Sequence, residues 1–292
     1  MPIEIPCIEM AYSEYMRGEE MLLSVAPTDN TRIDDETTLP TTPESIAGQV
    51  ADCADLGASV ATVHGWTPEG KPTPTALPTV STAIRDQTPE ILVEYAVGPE
   101  CPLGDYVDVL EAGPDPDLAQ VRITPTQYGS RGSTRRTRKE VDRFLRELRS
   151  RHIKPHLLLQ SGRDIQELHR VLEADILNAP VVTLRVGARE GTVASPMMLV
   201  GLLEAMPSSA TVFVAATGPN QYPLTTMAVF LGVNVRVGMG DNRYLSREEP
   251  VSHNVQLVQR VAEVVHHSER SLAVDAAELR ASQRDVGQVK QP

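Results

Sequence analysis

Aromatic residues and cysteines are both scarce in this chain of 292 residues. Only three phenylalanines, one tryptophan and three cysteines are present. With so few aromatic side chains, a folded core has to be built from aliphatic ones. Cys7, Cys53 and Cys101 are scattered along the sequence and fit neither a disulfide framework nor a CxxC zinc site. Such cysteine usage is typical of a reducing compartment, so we expect a cytoplasmic protein.

Long hydrophobic runs are absent as well. No stretch approaches the roughly 18 consecutive apolar residues that a membrane-spanning helix requires. The acidic N-terminus is interrupted by prolines and lacks the basic and apolar segments of a secretory signal. The apolar fraction of 41% is high enough for a folded core, so we expect a globular protein without a membrane partner.

Positive charge is also in short supply, because the formal net charge is −12 at pH 7. This balance argues against a nucleic-acid partner, since binding a duplex needs a basic surface. Lysine is rare, with 4 Lys against 23 Arg. The basic residues are concentrated, because residues 131–151 hold nine basic and three acidic side chains. An acidic chain therefore carries one strongly basic segment.

The pattern of apolar residues predicts regular alternation of strands and helices. Short runs rich in Val, Leu and Ile predict buried parallel strands at residues 21–27, 59–64, 90–97, 118–123, 154–160, 181–187, 211–216 and 233–238. Helical patterns lie at residues 42–57, 75–86, 103–112, 137–151, 163–174, 195–206, 221–231, 251–267 and 274–282.

Eight strand–helix units in one chain are typical of a (β/α)₈ barrel, the TIM barrel of the α/β class. An open doubly wound sheet is the alternative, but no GxGxxG motif follows the first strand to favour it. We predict a single barrel domain over residues 21–282, preceded by an extension at residues 1–20 and followed by a polar tail at residues 283–292. Functional residues are then expected where the strands end.

Polar residues lie at or near several of these predicted strand ends. Since the carboxyl ends of parallel strands meet at one face of a barrel, these side chains are candidates for a common site. They are Thr28, Asp29, His64, Glu94, Gln120, Arg122, Arg236, Asp241 and Asn242.

Three segments carry a resemblance to a known family. The segments LPTTPESIAGQVADCADLGASVATVHGWTPEGKPTP, VAATGPNQYPLTTMAVFLG and GVNVRVGMGDNRYLSREEPVSHNVQLVQRVAEVV resemble the first, seventh and last units of the β-keto acid cleavage enzymes. The likeness runs from about residue 22 to residue 280. It implies a (β/α)₈ barrel, a homo-oligomer such as a dimer or tetramer, and a divalent metal, typically zinc. It also implies exchange of the acyl part of a β-keto acid with acetyl-CoA.

The metal ligands of that family are only partly present. The His-x-His pattern reads Thr62-Val63-His64 here, and the expected glutamate before Asp-Asn is Gly240. Catalytic zinc normally has three protein ligands and an open position. His64 is thus the one remaining family ligand. Either other side chains complete the set, with Asp29, Glu94, Asp241 and His253 as candidates, or the protein works without a metal.

The family's Arg/Asp pair, which helps to deprotonate the substrate, is present as Arg236 and Asp241. A carboxylate beside a guanidinium stays ionised and is positioned as a base, although its pKa is lowered. A plain salt bridge at the barrel rim is the alternative. Thr28, Asp29 and Asn242 are predicted to bind the substrate from the neighbouring strand ends.

Two further charged residues are expected inside the barrel. The resemblance places Ala96 and Gln120 on the inner face, and because side chains alternate along a strand, Glu94 and Arg122 then face inward too. Unpaired charges there are costly, so we expect an ion pair between Glu94 and Arg122. Arg122 and Gln120 are also predicted to bind the substrate, with Glu94 orienting Arg122. The purely structural reading stays open.

Part of the basic segment falls in the loop after the fourth strand. Arg131, Arg135 and Arg136 are predicted to bind the phosphates of a CoA thioester, since guanidinium groups suit such anions. Contact with an acidic neighbouring subunit is the alternative.

The sequence thus favours a carbon–carbon bond-cleaving acyltransferase that acts on a small anionic β-keto acid with acetyl-CoA. Its metal dependence is expected to be altered or lost. A metal-free lyase or hydrolase on the same barrel, and a non-catalytic anion-binding protein, are the competing hypotheses.

Overall fold

A computed structural model describes residues 20–29, 39–67, 69–125, 136–188, 191–246, 248–273, 275–276 and 279. Their strands are β1 (Leu23–Val25), β2 (Ala58–Val63), β3 (Leu92–Tyr95), β4 (Leu118–Val121), β5 (Lys154–Leu159), β6 (Val181–Val186), β7 (Thr211–Ala216) and β8 (Asn234–Val237). Their helices are α1 (Pro43–Ala54), α2 (Leu77–Gln87), α3 (Leu103–Glu111), α4 (Arg138–Ser150), α5 (Gly162–Glu173), α6 (Pro196–Glu204), α7 (Gln221–Phe230) and α8 (Asn254–His267).

The strands form one closed parallel barrel in sequence order. Closure is made by β1, which pairs with β2 on one side and with β8 on the other. The predicted (β/α)₈ barrel is therefore confirmed, and the open doubly wound sheet is excluded. The predicted helix at residues 274–282 and the predicted terminal segments lie almost entirely outside the described residues. No helix in the described part of the chain is long and apolar enough to cross a membrane.

Local sequence signals start the helices where the pattern predicted them. Thr42 caps α1, because its side chain accepts a hydrogen bond of 3.2 Å from the backbone N–H of Ser45, and Pro43 occupies the first helical position. At α4, Thr137 and Glu140 form a capping box: the Glu140 carboxylate accepts from the Thr137 N–H at 2.7 Å. These caps begin helices close behind the loops that follow β1 and β4.

The core divides into two layers. The larger layer lies between the strands and the helices and is almost wholly aliphatic, as the shortage of aromatic residues predicted. A smaller cluster consists of Leu22, Val60, Leu92, Leu118, Val181 and Phe213, together with Ala273, Ala276 and Leu279 from the C-terminal segment.

The C-terminal segment is tied to the amino end of β1. The Met21 N–H donates to the Ser271 carbonyl at 2.9 Å, and the Ala273 N–H donates back to the Met21 carbonyl at 2.9 Å. Because this segment packs into the apolar cluster, the amino-terminal end of the barrel is closed. The buried charged side chains of Arg236 and Asp241 lie towards the other end, where the strands finish.

Candidate active site

A cavity of about 90 Å³ lies in the mouth of the barrel, at the carboxyl ends of the strands. Its wall is mainly polar and includes Thr28, Asp29, Thr62, His64, Gln120, Arg122, Arg185, Arg236, Gly240 and Asp241. Active sites of (β/α)₈ enzymes lie at this end of the barrel. The cavity is therefore the candidate active site.

Arg236 holds the Asp241 carboxylate through two hydrogen bonds. Nε donates to Oδ2 at 3.0 Å, and Nη2 donates to Oδ1 at 3.1 Å. Both residues are buried, with 4% of Arg236 and 5% of Asp241 exposed. Two parallel bonds of this kind fix the plane of the carboxylate as well as its charge. The structure thus brings together the pair that the sequence singled out, while its catalytic role stays a prediction.

A second guanidinium reaches the same carboxylate. Arg185 comes from β6, lines the cavity, and places its Nε 3.0 Å from Asp241 Oδ1. Burial by itself raises the pKa of Asp241, but the charges of Arg236 and Arg185 and the hydrogen bonds from Arg236 lower it overall. Asp241 is therefore ionised at neutral pH.

Sequence reasoning missed Arg185, although the strand contained a signal. Thr183 and Arg185 are two residues apart in the otherwise apolar run VVTLRV. Because alternate side chains of a strand share a face, this spacing places both on one side of β6. A charged residue in a strand that is buried on both faces indicates an interior site, and the same signal marks His156 in β5.

Buried polar groups are linked in a row through the barrel interior. Ser24 Oγ lies 3.1 Å from Thr62 Oγ1, and the Thr62 hydroxyl donates to Glu94 Oε2 at 2.6 Å. Glu94 Oε1 lies 3.1 Å from His156 Nδ1, and His156 Nε2 lies 2.9 Å from Thr183 Oγ1. All five side chains belong to residues that are at most 1% exposed. Thr62 from β2 and His156 from β5 therefore balance the buried charge of Glu94.

Glu94 remains a carboxylate despite its burial. Burial raises its pKa, but the charge of His156, whose Nδ1 lies 3.1 Å away, and the hydrogen bond from Thr62 lower it below its ordinary value. The ion-pair partner of Glu94 is thus His156, a residue outside the predicted site.

The expected ion pair between Glu94 and Arg122 is wrong. Arg122 Nη2 donates instead to Gln160 Oε1 at 2.8 Å. The reason is strand register: Glu94 pairs with Leu118, and Arg122 lies four residues further along, about 13 Å along an extended chain. Arg122 therefore lines the cavity, while Glu94 lies deeper in the barrel.

Three other predicted substrate-binding residues lie in the cavity wall. Gln120 faces Glu94, with its Nε2 donating to Oε1 at 3.4 Å. Thr28 and Asp29 follow β1, and Asp29 Oδ1 lies 3.4 Å from Arg243 Nη2. Their positions are consistent with contact to a ligand.

Asn242 is placed differently. Its side chain is occupied by the backbone of Tyr244: Nδ2 donates to the Tyr244 carbonyl at 2.6 Å, and Oδ1 accepts from the Tyr244 N–H at 3.1 Å. Asn242 is buried and shapes the loop after β8, whereas the cavity wall is formed by its neighbours Gly240 and Asp241.

The metal-ligand positions do not suit a metal. His64 lines the cavity, where burial and the charges of Arg236 and Arg185 lower its pKa to about 4. The neutral imidazole is able to ligate a metal, but the same two guanidinium groups repel a cation there. The Thr62 hydroxyl is already bonded to Glu94. A Cβ atom on Gly240 would lie 2.5 Å from the backbone oxygen of Thr28, so the present backbone has no room for a ligating side chain there.

The candidates for completing a metal site are also engaged elsewhere. Asp29 faces Arg243, Glu94 faces His156, and Asp241 faces two arginines. His253 caps α8, accepting from the Val255 N–H at 3.3 Å, and its Nε2 lies 3.3 Å from Asp52. Among the described residues, no three His, Cys, Asp or Glu side chains are grouped to hold a metal ion. The residues present therefore do not fit the family metal.

The arginines expected to bind CoA are only partly described. Arg131 and Arg135 lie outside the described residues. Arg136 is 6% exposed, and its Nη2 donates to the Cys101 carbonyl at 2.9 Å. The placement of Arg136 argues against the predicted phosphate contact, because burial of the guanidinium ties it to the loop before α3.

The closed barrel, with a carboxylate held by guanidinium groups in its mouth, places the chain in the class of (β/α)₈ barrel proteins. Within that class the chain belongs to the β-keto acid cleavage enzyme family, whose sequence profile matches residues 20–282.

Curated relatives agree with this assignment. The 3-keto-5-aminohexanoate cleavage enzyme of Acetoanaerobium sticklandii is 25% identical over 238 residues, which are 80% of this chain and 87% of the relative. The enzyme of the same name from Fusobacterium nucleatum subsp. nucleatum is 24% identical over 244 residues, again 80% of this chain and 87% of the relative. The family is therefore one of enzymes.

Solved structures show the same fold. The ternary complex of ObcA with a C4-CoA adduct and oxalate has a TM-score of 0.66 at 14% identity, covering 84% of this chain and 67% of that one. The binary complex of ObcA with oxaloacetate has a TM-score of 0.68 at 14% identity, covering 84% and 67%. At this level of identity the likeness concerns the fold alone.

Proposed function

We propose that this chain cleaves a carbon–carbon bond of a small anionic β-keto acid by acyl exchange with acetyl-CoA, without the metal that is typical of its family. The observation that carries the proposal is the Asp241 carboxylate, buried in the cavity and held by Arg236 at 3.0 and 3.1 Å. This arrangement supplies an oriented base beside fixed positive charge.

In this proposal Asp241 removes a proton from the carbon between the ketone and the carboxylate of the substrate. The negative charge that develops on the keto oxygen is stabilised by guanidinium groups already in place, because preorganised charge costs no reorganisation during the reaction. Arg236 and Arg185 supply positive charge beside the Asp241 carboxylate. Gln120 on β4 and Arg122 just after it also face the cavity. The enolate carbon then attacks the carbonyl of acetyl-CoA and expels the CoA thiolate. That thiolate attacks the original ketone of the adduct, and the bond from this carbonyl to the former enolate carbon breaks, which gives a new CoA thioester and the enolate of acetoacetate. Asp241 returns the proton to that enolate.

The size of the site supports a small acid as the first substrate. A cavity of about 90 Å³ is too small for the CoA moiety of acetyl-CoA, which therefore has to lie outside it. Solved structures of ObcA, a structural neighbour, hold oxaloacetate in one case and a C4-CoA adduct with oxalate in another. Arg131 and Arg135 remain the proposed contacts for the CoA phosphates.

A non-catalytic anion-binding protein is the second candidate. Two guanidinium groups lower the pKa of Asp241, and a carboxylate with a low pKa is a weak base. A site whose described residues do not fit the family metal also lacks that source of activation. Both features favour binding of an anion over its turnover. A metal-free lyase or hydrolase on the same barrel is the remaining alternative.

The test is an assay of acetoacetate release from a panel of β-keto acids with acetyl-CoA, using chelator-treated protein. We expect turnover of at least one acid and a loss of about a hundredfold or more in kcat for Asp241→Asn, which keeps the shape but not the basicity. Arg85→Gln, far from the cavity on α2, is the matched control. Tight binding of keto acids with no turnover would favour the anion-binding protein instead.

A further inference from the structure

Arg185 differs from Arg236 in how it contacts Asp241. Arg236 makes two aligned hydrogen bonds, whereas Arg185 makes an ion pair of 3.0 Å whose Nε–H lacks an aligned acceptor. The Arg185 side chain is also 23% exposed, against 4% for Arg236. Arg236 is therefore held in place, while Arg185 is bound mainly by charge and faces the cavity.

The immediate surroundings of Arg185 carry surplus positive charge. One carboxylate, Asp241, lies between two guanidinium groups, which leaves a net charge of about one positive unit. Asp29, the other acidic residue in the cavity wall, faces Arg243 and so adds no uncompensated negative charge. A partly enclosed site of this kind attracts an anion, because charge interactions strengthen where water is excluded.

The terminal nitrogens of Arg185 have the donors such an anion needs. Its contact with Asp241 uses Nε, and the two Nη nitrogens carry the remaining four N–H groups of a guanidinium. Their planar arrangement matches the two oxygens of a carboxylate or the carboxylate and keto oxygens of a keto acid.

We propose that Arg185 binds the anionic head of the substrate and supplies the positive charge that a divalent metal supplies elsewhere in the family. This inference rests on the proposed function, since it takes a small keto acid as the ligand. Two observations support it together. Gly240 has no room for a metal-ligating side chain, and the guanidinium of Arg185 on β6 reaches the carboxylate of the next residue, Asp241.

The experiment measures binding by calorimetry with acetoacetate as the probe and neutral methyl acetoacetate as its uncharged counterpart. Wild-type protein is tested after chelator treatment and again with added zinc chloride. Arg185→Gln removes the charge, Arg185→Lys keeps the charge but not the fork, and Arg85→Gln is the control. Thermal unfolding of each variant shows that the fold is retained.

We expect the chelator-treated wild type to bind acetoacetate, and added zinc to leave the affinity unchanged. Arg185→Gln is expected to lose about tenfold to a hundredfold in affinity for acetoacetate, as for removal of a charge-assisted hydrogen bond, and little for the methyl ester. Arg185→Lys is expected to have an affinity for acetoacetate between those of the wild type and Arg185→Gln. Arg85→Gln is expected to bind like the wild type.

Two results would overturn the proposal. One is acetoacetate binding that disappears on chelation and returns with zinc. The other is unchanged affinity in both Arg185 variants. Failure of the proposed function gives a different result: binding that depends on Arg185, with no acetoacetate released from any β-keto acid, leaves the role of Arg185 supported and removes the catalytic assignment.

Discussion

Glu94 and His156 lie 3.1 Å apart, Oε1 to Nδ1, inside the barrel and with no exposed surface. They come from β3 and β5, and β4 lies between those strands. A carboxylate in such a place is tolerable only when its charge is matched and its oxygens are bonded. Thr62 completes that requirement by donating to Oε2. This pair belongs to the row of buried polar side chains that lies below the cavity and includes Thr62 of its wall.

Acid stability is expected to depend on Glu94. Its pKa in the folded protein is lower than in the unfolded chain, so its contribution to stability is present above the unfolded pKa of about 4.3 and is lost as pH falls through the folded pKa. We therefore expect the unfolding free energy of the wild type to fall more steeply between about pH 5 and pH 3 than that of Glu94→Gln. Urea unfolding at several pH values measures this.

The control for that experiment is Glu173→Gln, at the exposed C-terminal end of α5. Its pH profile is expected to follow the wild type. Parallel profiles for the wild type and Glu94→Gln would show that Glu94 is not held as a carboxylate in the folded protein.

Removing both members of the pair is expected to cost less stability than the sum of the two single removals. His156→Leu leaves a buried carboxylate without its partner, at a cost of about 3–5 kcal/mol in unfolding free energy. In Glu94→Leu/His156→Leu no such charge remains, so the double variant is expected to be less destabilised than the sum of the single variants. A double-mutant cycle from urea unfolding measures the coupling. Simple additivity would contradict an interaction between the two.

Restoring a glutamate at position 240 is not expected to restore a metal site. In Gly240→Glu the new Cβ meets the Thr28 carbonyl at 2.5 Å, so we expect a loss of about 1–3 kcal/mol in unfolding free energy. Zinc titration against a chromophoric chelator is expected to show no tight binding, even with Thr62→His added.

Gly48 provides the matched glycine control. It lies in α1, and a Cβ there meets nothing within 4 Å, so Gly48→Ala is expected to stabilise the protein by about 0.5–1 kcal/mol. Stoichiometric zinc binding by Gly240→Glu without loss of stability would show that the loop after β8 opens more easily than its contacts indicate.

Apolar residues on α6 and α7 are expected to form a contact between copies of the chain. Met197 is 80% exposed and Phe230 is 51% exposed, and their two helices are neighbours in the barrel shell. Met197 lies in the first turn of α6 and Phe230 at the end of α7, so an interface that covers both has to span the length of the two helices. We propose a homo-oligomer through this surface, and expect Met197→Glu/Phe230→Glu to lower the mass measured by light scattering. Arg163→Glu on α5 is the charge control, and an unchanged mass in both variants would exclude this surface.

Much of the fold can be read from the sequence, because alternation of apolar runs and capped helices is a local property. The same holds for Arg236 and Asp241, which are five residues apart at the end of one strand and meet through a single turn. The family resemblance then names the class of chemistry. None of this requires knowing which strands lie opposite one another.

The partners of the buried charges were decided only by the tertiary structure. Arg185 comes from β6 and His156 from β5, and the closed barrel brings them to Asp241 and Glu94 from other strands. Alternation correctly placed Glu94 inside, but the strand register, which offsets Arg122 along β4, determined its partner. The residues of a strand determine which face of the sheet each side chain takes. The tilt of the strands and the closure of the barrel determine which other side chains it contacts there.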